Sequence, residues 1–153
     1  MPRLSPLGAN RATLLSVTAW AAGLLLISSI APVLRGQAPT GSIPFTQAQA
    51  SAGGRLYTQK CASCHGARLD DGVAPPLAGQ KFLDAWSVSG RSVDDLFFIT
   101  RTTMPKNEGG TLASAEYASV LAYILDRNGY PAGDRELPAD QNTLSALRLT
   151  PPS

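Results

Sequence analysis

Cys61-Ala62-Ser63-Cys64-His65 is a C-x-x-C-H frame, the attachment sequence of a c-type haem. Each cysteine can add across one vinyl group, giving two thioether bonds. The histidine directly after the second cysteine is then held under the iron, where its imidazole serves as proximal ligand. Two other chemistries use a C-x-x-C pair. A structural zinc needs four ligands, and the chain has two Cys and one His in all. A thiol–disulfide exchange pair sits in a βαβ pattern, and none is visible here.

The single histidine constrains the other side of the iron. An electron carrier takes two axial protein ligands, and a second histidine does not exist. Of the two methionines, Met1 opens the N-terminal leader, which leaves Met104 in Thr102-Thr103-Met104-Pro105. A lone methionine is an ordinary core filler. The competing arrangement is an open sixth position, as in a gas-binding or peroxide-reactive haem.

The 153 residues suit one domain with appendages. Arg3 and Arg11 precede an apolar run from Ala12 to Leu34, closed by Arg35. A basic start leading into an apolar stretch is an export signal, and the positive-inside bias then puts the downstream chain on the periplasmic face. The run is long enough to span a membrane, which needs about 20 residues. Gly36-Gln37-Ala38 offers a cleavage frame, but Pro39 directly after it is unfavourable for signal peptidase. Residues 1–36 are therefore read as a signal peptide or an uncleaved membrane anchor. Without Arg3, Arg11 and Arg35 the 13 basic residues fall to 10, one fewer than the 11 acids. The formal charge of +2 thus belongs to the precursor, and no nucleic-acid partner is implied.

Residues 37–45, rich in Gly, Pro, Ser and Thr, read as a linker. Thr46-Gln47-Ala48-Gln49 has a capping-box pattern, which predicts a helix from there to about Lys60. Gly53 inside that helix costs about 1 kcal/mol against Ala, a sign that another backbone comes close. Gly66 to Gly79 reads as loop, with Asp70-Asp71-Gly72 as a turn and Pro75-Pro76 excluding regular helix. Phe82 and Trp86 fit a short helix. Ser92-Val93-Asp94-Asp95 is a second helix start, whose helix leads to Met104. A last strong helix, capped by Ser114, runs to about Asn128 with Tyr117, Val120, Leu121, Ile124 and Leu125 on one face. Asn128-Gly129 closes it and Pro131 blocks continuation. Residues 132–153 form a polar C-terminal extension with a short helix expected from Asp140 to Arg148. No alternating strand pattern occurs, so the expected class is all-α.

From about Thr46 to Asn128 the chain resembles the class I c-type cytochromes with one haem. The resemblance implies a small all-α fold, about four helices around one covalently bound haem c, over residues 46–131. Gly53 and Tyr57 match that family's N-terminal helix, and Val120 and Tyr123 the C-terminal helix that crosses it. Pro75-x-Leu77-x-Gly79 looks like the family's P-x-L-x-G loop, whose proline carbonyl accepts the proximal histidine N–H. Met104-Pro105 matches the distal-ligand loop. The implied haem site is therefore Cys61, Cys64, His65, Pro75 and Met104, with His65 and Met104 on the iron. The stretch from Thr102 to Tyr117 and Asn128 to Gly133, with Phe82, Trp86 and Glu136-Leu137-Pro138, is similar to the cytochrome domains of quinohaemoprotein alcohol dehydrogenases and their free-standing relatives.

The expected function is one-electron transfer in the periplasm, with no catalysis by the chain itself. A periplasmic dehydrogenase is the expected donor, and an oxidase or another cytochrome the acceptor. An obligatory cytochrome subunit of a dehydrogenase complex and an open-site haem protein are the alternatives.

Overall fold

The structure, a computed structural model, describes residues 42–152. The signal or anchor reading of residues 1–36 and the cleavage frame after them lie outside the described residues. Among the described residues six helices occur in order: α1 (Gln47–Lys60), α2 (Ala62–His65), α3 (Gln80–Leu83), α4 (Val93–Thr103), α5 (Ser114–Arg127) and α6 (Gln141–Ala146). A π-helical turn, Asp84–Val88, continues α3. Among the described residues there is no strand, only one isolated bridge between Ser92 and Arg148. Nor is any helix there long and apolar enough to cross a membrane.

Local chemistry sets where the helices begin. Thr46 Oγ1 accepts the Gln49 N–H at 3.0 Å, opening α1. The reciprocal half of that capping box is missing, because the Gln49 amide turns to the backbone of Leu137 instead. At α4 the box is complete: Asp95 N–H donates to Ser92 Oγ at 3.1 Å and Ser92 N–H to Asp95 Oδ2 at 2.8 Å. Before α5 the capping position falls on Ala113 rather than Ser114, one residue earlier than the sequence suggests. Alanine has no side-chain acceptor, so Glu116 closes the turn by accepting the Ala113 N–H at 2.8 Å.

The core is built on the crossing of α1 and α5. A Cβ on Gly53 would overlap the Ser119 carbonyl and lie 2.9 Å from the Val120 N, so only glycine permits this approach. The Tyr123 ring lies over the neighbouring Gly54, 5.3 Å from the ring of Tyr57. The flanking stretches share this core. Ile43 and Phe45 are buried before α1, and Leu137, Leu144 and Leu149 after α5. The C-terminal segment runs beside α4, with Val93 N–H donating to Leu147 O and Leu149 N–H to Arg91 O.

Candidate haem site

His65 ends the single turn of α2 and is buried. Its Nδ1 lies 2.8 Å from the Pro75 carbonyl oxygen. A carbonyl can only accept, so Nδ1 carries a proton, and in the neutral ring Nε2 keeps its lone pair. The loop after α2 is folded tightly to bring Pro75 there. Gly66 has φ +85°, and its carbonyl accepts the Tyr57 hydroxyl at 2.7 Å. Asp71 accepts the Arg68 N–H at 2.8 Å, closing the acidic turn. Ala74 N–H reaches back to Cys64 O at 2.9 Å, and Leu77 N–H to Leu69 O at 2.7 Å.

Met104 leaves α4 in an extended conformation immediately after Thr103. Its carbonyl accepts the Tyr117 hydroxyl at 2.8 Å, and the same hydroxyl accepts the Gly110 N–H at 3.0 Å. One side chain of α5 thus holds both ends of the Met104 loop. The Ser92–Asp95 box at the far end of α4 is well formed, and those Ser92 hydrogen bonds hold the Asp95 carboxyl below its ordinary range.

Cys61, Cys64, His65, Pro75 and Met104 all line one cavity of about 520 Å³. Its walls are apolar, formed by Leu77, Trp86, Leu96, Ile99, Val120 and Ile124. Behind Trp86 stands the buried ring of Phe82, and the Arg91 guanidinium lies 4.8 Å over the Trp86 ring. The size is that of a cofactor pocket. Two thiols, an imidazole, a thioether and apolar walls suit a haem, whose faces are apolar. Burial, with the Cys64 charge adding to it, pushes the Cys61 thiol up to about 11. A thiol so hard to ionise is ill suited to disulfide exchange. Among the described residues no group of three or more His, Cys, Asp and Glu side chains could hold a metal ion.

Two residues at this site were legible in the sequence only as helix parts. Tyr117 counted as one of the apolar positions of α5, and Asn128 as its terminator. No local signal marks their hydrogen bonds: Tyr117 reaches Gly110 and Met104, 7 and 13 residues back, and Asn128 reaches Leu77 and Gly79, 51 and 49 residues back.

Residues 48–124 match a family model described as cytochrome c oxidase, cbb3-type, subunit III. The matched stretch holds Cys61, Cys64, His65, Pro75 and Met104. The chain is also similar to the thiosulfate dehydrogenase of Stutzerimonas stutzeri, 31% identical over 81 residues, covering 47% of this chain and 25% of that protein. The thiosulfate dehydrogenase of Psychrobacter arcticus is 33% identical over 79 residues, covering 47% of this chain and 24% of that protein. The chain therefore spans about a quarter of the length of these curated relatives. No solved structure matches it.

Proposed function

The chain belongs to the cytochrome c family whose model is described as cytochrome c oxidase, cbb3-type, subunit III, and on that footing we propose that it is a periplasmic one-electron carrier. Haem-based electron transfer is the family's chemistry. Haem c, when bound, supplies a ferric/ferrous couple. Cys61 and Cys64 would hold it through thioether bonds. His65 would present Nε2 to the iron while its Nδ1–H stays committed to the Pro75 carbonyl, an arrangement that fixes the ring and raises its basicity. Met104 would supply the sulfur of the sixth position. Leu96, Val120 and Ile124, with the half-exposed Ile99 at the rim, would give the cofactor an apolar surround. Met/His ligation and an apolar surround both favour the reduced state, so the potential is expected to be fairly high.

The observation that carries the reading is the convergence of both cysteines, His65 and Met104 on one apolar cavity. It also weighs against an open distal site, since a thioether is already at hand. The donor would be a periplasmic dehydrogenase. The resemblance to the cytochrome domains of quinohaemoprotein alcohol dehydrogenases supports that, and so does the likeness to two proteins named thiosulfate dehydrogenase. An oxidase or another cytochrome would take the electron onward. Both relatives are far longer than this chain, which favours, as a second reading, a cytochrome subunit working within a dehydrogenase complex. The leader would keep the protein at the inner membrane or release it into the periplasm; recovery by osmotic shock with a new N-terminus near Pro39 identifies the second case.

A redox-resolved visible spectrum of the purified full chain tests the proposal. The ferric protein should show the weak far-red charge-transfer band of an iron–thioether bond, and Met104→Ala should abolish it. A wild-type protein that is high-spin and takes carbon monoxide rapidly when ferrous overturns the carrier reading.

A further inference from the structure

Asn128, at the end of α5, is buried, and all of its side-chain hydrogen bonds go to backbone atoms. Nδ2 donates to Ile124 O at 2.8 Å, an ordinary bond at a helix end. The other two bonds leave the helix. Nδ2 also donates to Leu77 O at 2.9 Å, and Oδ1 accepts the Gly79 N–H at 3.0 Å, spanning 51 and 49 residues of chain. Leu77 and Gly79 lie in the loop that begins with Pro75, whose carbonyl faces His65 Nδ1 at 2.8 Å. Between the clamp and that carbonyl stands only Pro76, whose ring locks φ, and a residue that precedes proline, as Pro75 does, is restricted in turn, so the connection is stiff. Displacement of Leu77 is therefore passed to the Pro75 carbonyl rather than absorbed.

We propose that Asn128 is a positioning residue for the proximal imidazole: by clamping the backbone of Leu77 and Gly79 it sets the Pro75 carbonyl, and with it the direction and strength of the His65 Nδ1–H bond. This rests on the proposed role of His65 as the haem ligand. Asparagine suits the task because one short side chain must donate to a carbonyl and accept from an N–H at once; an aspartate cannot donate, and a serine is too short to reach both. The consequence is electronic. Donation from Nδ1–H makes Nε2 a stronger donor to the metal, which favours the ferric state. A loosened carbonyl weakens that donation and favours the ferrous state.

Two substitutions separate the clamp from the helix end. Asn128→Ala removes every bond. Asn128→Ser keeps a hydroxyl able to bond Ile124 O one turn back, but abandons Leu77 and Gly79. Gln49→Ala, which unties the C-terminal segment away from the cavity, serves as a control for general loosening. The readouts, on full-length haem-loaded protein, are the reduction potential and the hyperfine-shifted proton resonances of the His65 ring in the ferric state. Both Asn128 variants should raise the potential and move the His65 resonances, while Gln49→Ala lowers stability and moves neither. Should Asn128→Ala fail to accumulate with haem, the serine variant carries the test alone. Unchanged resonances and potential in Asn128→Ser overturn the proposal, as does an equal shift in Gln49→Ala. A wild type without low-spin, histidine-ligated haem fails differently: it removes the ligand reading on which the proposal stands.

Discussion

The side-chain amide of Gln49 closes two hydrogen bonds on the backbone of Leu137, 88 residues away: Nε2 donates to Leu137 O at 2.9 Å, and Oε1 accepts Leu137 N–H at 2.8 Å. Gln49 thereby does for Leu137 what a neighbouring strand would do, satisfying both backbone groups of a buried residue. Losing it leaves a buried N–H and C=O unpaired, at a cost of about 1–3 kcal/mol each where water cannot enter. Gln49→Ala should lower the thermal midpoint by several degrees, with an unaltered visible spectrum. Thermal melts of the two proteins check this.

Neighbouring glycines of α1 should respond differently to the same change. Gly53→Ala drives a methyl into the Ser119 carbonyl, which is backbone and cannot swing aside. Overpacking of this kind costs about 1–3 kcal/mol, a large share of a small domain's stability. In Gly54→Ala the new methyl meets only the Tyr123 ring at 3.2 Å, a side chain free to shift. There the gain in helix propensity, about 1 kcal/mol, offsets the crowding. A midpoint that falls for Gly53→Ala and holds for Gly54→Ala is the expected pair of results.

Acid should weaken the start of α4. The hydroxyl and N–H of Ser92 both donate to Asp95, so the folded carboxyl titrates below its ordinary 3.8. A carboxylate with a depressed folded pKa adds stability that is complete above the unfolded value and is lost as pH falls through the folded one. Asp95 is exposed, so the effect is small. The advantage of wild type over Asp95→Asn in denaturant midpoint should be constant near neutrality and close below about pH 4. An advantage unchanged at pH 3 contradicts the cap's role.

Contact with redox partners should depend little on salt. Residues near the attachment cysteines are small or apolar: Ala62, Ala67, Pro76 and Val73, the last 95% exposed. Lys60 and Lys106 border the cavity but are only two charges. A mostly apolar contact gives a modest ionic-strength dependence of the electron-transfer rate, whereas Val73→Asp should slow it. Stopped-flow reduction by the donor dehydrogenase across a salt series distinguishes this from docking driven by charge, whose rate would drop steeply.

What could be read from the residues alone was local or a matter of counting. The C-x-x-C-H frame carries its chemistry within five residues. One histidine and one methionine outside the leader leave Met104 as the sole thioether candidate. The starts of α1 and α4 rest on side chains bonding three residues ahead, and the apolar spacing of α5 marks its inward face. The tertiary structure decided the rest. It turned Gln49 from a helix cap into a clamp on Leu137, put Tyr117 on the Met104 loop and Asn128 on the Pro75–Gly79 loop, and buried Leu144 and Leu149 in the core. Each of these joins residues well beyond one helical turn. Propensity and periodicity describe which groups a residue meets within a turn or two; which distant backbone group a side chain satisfies depends on how the whole chain packs.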